Sequence, residues 1–109
     1  MRKTTGIKLL RLQIDEIHNR DIKLDAWILS TNSVIAKVFP ISSALKISQL
    51  AEIEATPDFF NDLSTQKRIE IRKLKAVSYL QNYIEEIELL GMESNPNEIE
   101  GFLSNFRFW

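Results

Sequence analysis

Cysteine is absent from this chain of 109 residues, histidine occurs once, and glycine and proline occur three times each. Without thiols, disulfides, thiolate metal sites, iron–sulfur clusters and a cysteine nucleophile are excluded together, and a cytoplasmic setting is expected. The glycines, at positions 6, 91 and 101, are too few and too scattered to form a phosphate-cradling loop or a nucleophile elbow. No apolar run approaches the roughly 20 residues that a membrane span needs. Met1-Arg2-Lys3 leads into an amphipathic stretch rather than the apolar core of a signal peptide, so the chain is expected to be neither exported nor embedded. Nor is there surplus charge, since a net −1 offers no general attraction to a phosphate backbone.

What is present is the composition of an ordinary globular domain, 44% hydrophobic and 27% charged. A chain of this length buries roughly two-thirds of its unfolded surface, enough for one core. Apolar residues at three- and four-residue spacing mark its helices. Ile7, Leu10, Ile14 and Ile17 share a face of a first helix over about 5–19, which Leu9 and Leu12 widen. Asp21 is the expected N-cap of a second helix, carrying Leu24, Trp27, Ile28, Thr31, Ile35, Val38 and Phe39 and stopped by Pro40. Ser42 or Ser43 caps a shorter third helix with Leu45, Leu50 and Ile53. After Thr56-Pro57-Asp58, the apolar Phe59, Phe60 and Leu63 are expected to fold back on the core. The longest helix, over about 64–90, places Ile71, Leu74, Val77, Leu80, Ile84, Ile87 and Leu90 in one stripe and ends at Gly91 in a left-handed cap. The expected fold is all-α, a single small bundle of about four helices over residues 1–91, followed by a linker and docking tail over 92–109.

Residues for chemistry are scarce. His18, beside Asn19, has no identifiable partner for a catalytic dyad and reads as a histidine at a helix C-terminus, favoured there by the dipole. The acids Asp15/Glu16 and Glu85/Glu86/Glu88 lack the Glu-x-x-His companions of a carboxylate metal cluster and read as solvated faces. The expectation is no catalytic residue, no metal, no cofactor and no small-molecule substrate.

Two features stand out instead. In the long helix Lys67, Arg68, Arg72, Lys73 and Lys75 crowd the beginning and Glu85, Glu86 and Glu88 the end, the reverse of what the helix dipole favours. An antiparallel helix, from the same fold or a second copy, would compensate. The basic cluster also offers a nucleic-acid contact, although neither a recognition-helix pattern nor interleaved aromatics accompany it. The second feature is the tail, where Phe102, Leu103, Phe106, Phe108 and Trp109 fall within the last eight residues. An apolar tail of this kind must dock, on its own bundle or in a groove of another protein. A membrane surface is disfavoured, because Arg107 is the sole basic residue after Lys75.

The segment DAWILSTNSVIAKVFP over 25–40, the Phe59-Phe60 pair and the ending YIEEIELLG over 83–91 resemble the small N-terminal helical module that precedes TIR-like or other effector domains in bacterial antiviral and nucleotide-signalling proteins. The resemblance covers about residues 7–91. It departs at Pro40, where a glycine is expected, and in having no effector domain after Gly91. It implies an assembly or partner-sensing role, possessed by bacterial or phage-defence proteins, and transfers no catalytic residue. The expected function is a non-enzymatic protein-interaction or oligomerisation module, a homodimer or a complex with another protein, in which Phe102, Phe106, Phe108, Trp109, Glu85 and Glu88 meet the partner. The alternatives are a nucleic-acid-binding regulator using Lys67, Arg68, Arg72, Lys73 and Lys75, and a phage-related inhibitor of another protein.

Overall fold

A computed structural model describes residues 1–19, 21–54 and 65–93. Four helices account for most of them: α1 (Lys3–Ile17), α2 (Leu24–Val38), α3 (Ser43–Glu54) and α4 (Thr65–Leu90), with no strand among the described residues. At about 1.5 Å per residue α4 is about 39 Å long, and α1 and α3 pack along it. Each helix packs on the next and α4 returns to α1, so the four close a ring around one core.

The contacts fix the directions. Gln13 in the middle of α1 meets Trp27 and Thr31 of α2, while Gly6 near the start of α1 abuts Val38 at the end of α2. Lys46 near the start of α3 reaches Glu86 near the end of α4, and Gln49 one turn on reaches Tyr83. Lys3 at the start of α1 donates to the Glu88 carbonyl at the end of α4. Every neighbouring pair is therefore antiparallel, an up-down-up-down bundle.

The core is built by Leu10, Ile17, Trp27, Ile28, Ile35, Val38, Phe39, Leu50, Ile53, Ala76, Leu80, Tyr83, Ile84 and Ile87, all buried. Most of the expected stripes thus face inward, with Ile7, Leu9, Ile14 and Val77 at the margin. Leu12, Leu45, Leu74 and Leu90 do not; all four are exposed. The physical reason is the width of each buried arc. In α4 it follows Ala76, Leu80, Tyr83, Ile84 and Ile87, and at about 100° per residue Leu90 falls off one edge of it while Leu74 falls further round. The small Ala76 and the aromatic Tyr83 hold positions that a heptad of aliphatic residues does not reveal.

Two polar side chains share the interior between α1 and α2. The Trp27 indole N–H donates to the Gln13 carbonyl at 2.8 Å, and the Thr31 hydroxyl donates to Gln13 Oε1 at 2.8 Å. Thr31, counted on the apolar stripe, is buried as expected but brings a hydroxyl that only a buried partner could satisfy. Asp21 is not the cap of α2. Its N–H is taken by Asn19 Oδ1, which places it in the turn, and Lys23 holds the N-cap position with no side-chain bond.

Gly91 ends α4 at φ +80°, as the cap requires. Met92 then turns back against the core, its thioether lying where a Gly6 side chain would stand. The expected folding-back of Phe59, Phe60 and Leu63 concerns residues outside those described.

Two substitutions test this packing. Leu80→Ala should lower the free energy of unfolding by about 2–5 kcal/mol at an unchanged denaturant slope, because it opens a cavity between packed helices. Gly91→Ala should cost about 1–2 kcal/mol through its left-handed backbone alone, and chemical denaturation of both variants checks the pair.

Candidate interaction surface

Sequence reading gave Lys46 no role, yet this residue organises one end of the bundle. It is only 5% exposed, and its Nζ lies 2.8 Å from Glu86 Oε2 on α4. The same ammonium donates to Ser42 Oγ at 2.8 Å and sits over two aromatic faces, 4.3 Å from the Phe39 ring centroid and 5.3 Å from that of Tyr83. An enclosed charge is tolerated only when paired and hydrogen-bonded, and here a carboxylate, a hydroxyl and two π faces supply what water would. Tyr83 is held in turn: its hydroxyl donates to Gln49 Oε1 at 2.7 Å, and its ring meets Phe39 edge-on at 5.9 Å. Burial, followed by the neighbouring Tyr79 and Glu86, pushes the Tyr83 phenol well above its ordinary range, so it stays a neutral donor.

Glu93 completes the cluster. Its Oε1 accepts the backbone N–H groups of Ile41 and Ser42, both at 3.1 Å, and its Oε2 accepts the Ser42 hydroxyl at 2.6 Å. A residue beyond α4 thereby satisfies donors at the entry to α3, the role a capping side chain normally plays from within the same helix. Burial alone would raise the Glu93 carboxyl, but the Ser42 hydroxyl, the two backbone N–H groups and the Lys46 charge outweigh it and hold the group below its ordinary value. The Ser42–Lys46 pair has the residue types of a serine–lysine dyad. Its bonds run the wrong way for one, since Lys46 donates to Ser42 and Ser42 donates to Glu93, so the lysine is not placed to take the hydroxyl proton. The arrangement ties α2, α3, α4 and the chain after Gly91 together.

Large apolar side chains are exposed around this tie. Leu89 is 82% and Leu90 80% exposed, and Ile41 and Leu45 are exposed beside the donors and the lysine just described. Because Lys46 meets Glu86 and Ser42 meets Glu93, these four residues belong to the same end of the bundle, at the junction of α3 with α4. Residues 94–109 continue from here.

A second surface is defined by missing charge. Between Ala26 and Ala36 α2 has no charged residue, and Leu29 stands on it 70% exposed. The adjacent α3 adds the exposed Ala44, Ser48 and Ala51, its one lysine in that span being the enclosed Lys46. The ionic residues of the described bundle sit mainly on α1 and α4.

The reversed charge layout of α4 finds compensation inside the fold. Glu86 pairs with Lys46 from α3, Glu88 lies 3.9 Å from Arg11, and the Glu88 carbonyl accepts from Lys3. Glu85 is exposed. The structure therefore separates Glu85 from Glu88, which α1 already engages. At the opposite end, Lys67 and Lys75 are exposed while Arg68, Arg72 and Lys73 are half-buried. Glu70, Lys73, Leu74 and Val77 line a shallow cleft of about 300 Å³ with His18, which lies exposed just past α1. Among the described residues no group of three or more His, Asp or Glu is placed to hold a metal ion, and no helix is long and apolar enough to cross a membrane. Phe102, Phe106, Phe108 and Trp109 lie outside the described residues.

Sequence reasoning missed Lys46, Tyr83 and Glu93. The available signal was the four-residue spacing of Ser42 and Lys46 with the three-residue spacing of Tyr83 and Glu86, which puts each pair on one helix face. Nothing local joins the pairs to each other. No family model matches the chain, and neither a curated protein nor a solved structure matches it.

The Glu93 tie has a pH signature. Its folded pKa is depressed, so its contribution to stability is full above the unfolded value near 4.5 and is lost as the pH falls through the lower folded value. Glu93→Gln should remove that contribution at neutral pH. Acid titration of unfolding free energy, followed for both proteins, should show the wild type losing its advantage below about pH 4.5, with parallel curves as the contrary result.

Proposed function

We propose that this chain is a helical association module with no reaction of its own, whose partner is another protein surface, either a second copy or a different chain, in the cytoplasm. The observation that carries the reading is that Ile41, Leu45, Leu89 and Leu90, four large apolar groups, are all exposed at the same end of the bundle. Single surface leucines are ordinary, whereas several at one end of a bundle offer apolar area that a partner can cover. The tie through Lys46 and Glu93 joins α3, α4 and the chain after Gly91 at that end. The aromatic residues Phe102, Phe106, Phe108 and Trp109 follow in sequence from the same end and have the composition of interface anchors. The resemblance to bacterial assembly modules over residues 7–91 agrees with this reading and suggests a defence setting. Inhibition of another protein by covering its surface would use the same face.

The nucleic-acid alternative rests on Lys67, Arg68, Arg72, Lys73 and Lys75. Three of these five are half-buried and Glu70 lies among them, which favours a protein partner over a phosphate backbone.

The reading is tested by Leu89→Ser with Leu90→Ser, and separately by Phe106→Ala with Trp109→Ala. Both pairs should weaken concentration-dependent association, read by light scattering, by roughly tenfold or more while leaving helicity unchanged. A wild-type chain that stays monomeric at every concentration and binds an apolar-surface dye no better than the double-serine variant would overturn it.

A further inference from the structure

We infer that the outer face of α2 is the seam of a homodimer, in which two copies of this helix lie antiparallel across a two-fold axis beside residue 31. This rests on the reading of the chain as an association module and names the partner as a second copy.

The argument begins with an order of residues. Along the exposed side of α2 stand Asp25, Ala26, Leu29, Ser33, Ala36 and Lys37, all exposed. They are arranged in pairs equidistant from position 31: Asp25 with Lys37, Ala26 with Ala36, and Leu29 with Ser33. A two-fold axis at that level sets each residue opposite the other member of its pair on the second copy. Asp25 then lies level with the partner's Lys37 at both ends of the seam, and Ala26 with the partner's Ala36. Leu29 enters beside the small Ser33 and is withdrawn from water.

Three physical terms favour this pairing over a parallel one. The acid at the N-terminal end and the lysine at the C-terminal end face each other only when the helices are antiparallel; a parallel pair sets like charges together. The same two charges already suit the α2 dipole, so neither is spent correcting the helix itself. Alanine and serine let two helix axes approach to the short end of the usual 8–10 Å range, which a leucine on one side can fill. On α3 the exposed Ala44, Ser48 and Ala51 bring no charge, and Glu52 is the first exposed acid after them. Neither Asp25 nor Lys37 has an ion pair within its own chain among the described residues; Asp25 Oδ1 accepts the Ala26 N–H at 2.9 Å, which leaves its charge open to a partner's lysine.

Because the chain contains no cysteine, single introduced thiols report the geometry. The test uses full-length Ala26→Cys and Ala36→Cys, alone and mixed, under mild oxidation, together with sedimentation equilibrium of the wild type and of Leu29→Arg, Asp25→Lys, Lys37→Asp and the Asp25→Lys/Lys37→Asp double variant. The expected result is a wild-type dimer and a disulfide in the mixture that neither single variant forms, since like positions are about 15 Å apart along the axis. Leu29→Arg should weaken the dimer roughly tenfold or more at unchanged helicity. Each charge reversal alone should weaken the dimer and the double reversal should restore it.

A dimer that survives Leu29→Arg, or that cross-links equally in the unmixed variants, would overturn the seam while leaving the association reading standing. A wild type that is monomeric throughout would also overturn it, and the serine variants at Leu89 and Leu90 then decide the wider reading by their dye binding.

Discussion

The bundle depends on placing one ammonium group almost wholly out of water. Lys46 is enclosed by Phe39 and Ser42 from the junction of α2 with α3 and by Tyr83 and Glu86 from α4. An uncompensated charge in that position would cost several kcal/mol, so α3 cannot slide along α4 by even one turn without losing the carboxylate or the aromatic faces. The lysine thereby fixes a register that apolar packing leaves loose. Glu86 remains partly in water, which limits what the pair adds to stability; the larger effect is on which arrangement is allowed.

The same constraint reaches the end of the chain described. Ser42 bridges the lysine to Glu93, and Glu93 also receives the two backbone donors at the start of α3. Residues after the Gly91 turn are thus held against the bundle, and Met92 fills the space that Gly6 leaves open. The point from which residues 94–109 depart is set by this network.

How much of this is legible in the sequence varies with the range of the interaction that decides it. Helix number, type and approximate ends follow from spacing, proline and glycine, because those are local: Gly91 takes the left-handed angle and Pro40 follows the end of α2. Burial is legible where an apolar residue lies at the middle of a stripe, as Leu10, Ile35 and Leu80 do, and fails at the stripe's edge. Leu90 and Leu45 keep the right spacing but lie beyond the arc that the neighbours cover. Lys46 fails for the opposite reason, as a lysine is read as solvated unless its partners are known, and they come from 40 residues away in α4 and from an aromatic pair on two helices. The reversed charges of α4 were readable as an anomaly needing an antiparallel neighbour, and α1 and α3 are such neighbours at the acidic end.

That compensation bears on where a partner can sit. Each ion pair made inside the fold removes charged groups from any external contact, so Glu86 and Glu88 have less to offer a partner than their number suggests. Among the described residues, two apolar or neutral surfaces stand outside such internal engagement: the leucines at the junction of α3 with α4, and the neutral ridge of α2. Desolvating neutral side chains costs far less than desolvating ions, and the burial of leucine is favourable by about 25 cal/mol per Å². A helix that contributes Trp27, Ile28, Ile35 and Val38 to the core and whose outer face carries charge only at its two ends, Asp25 and Lys37, is apolar or neutral along its whole middle. In a bundle this small, such a helix is better suited to the middle of an assembly than to its outside.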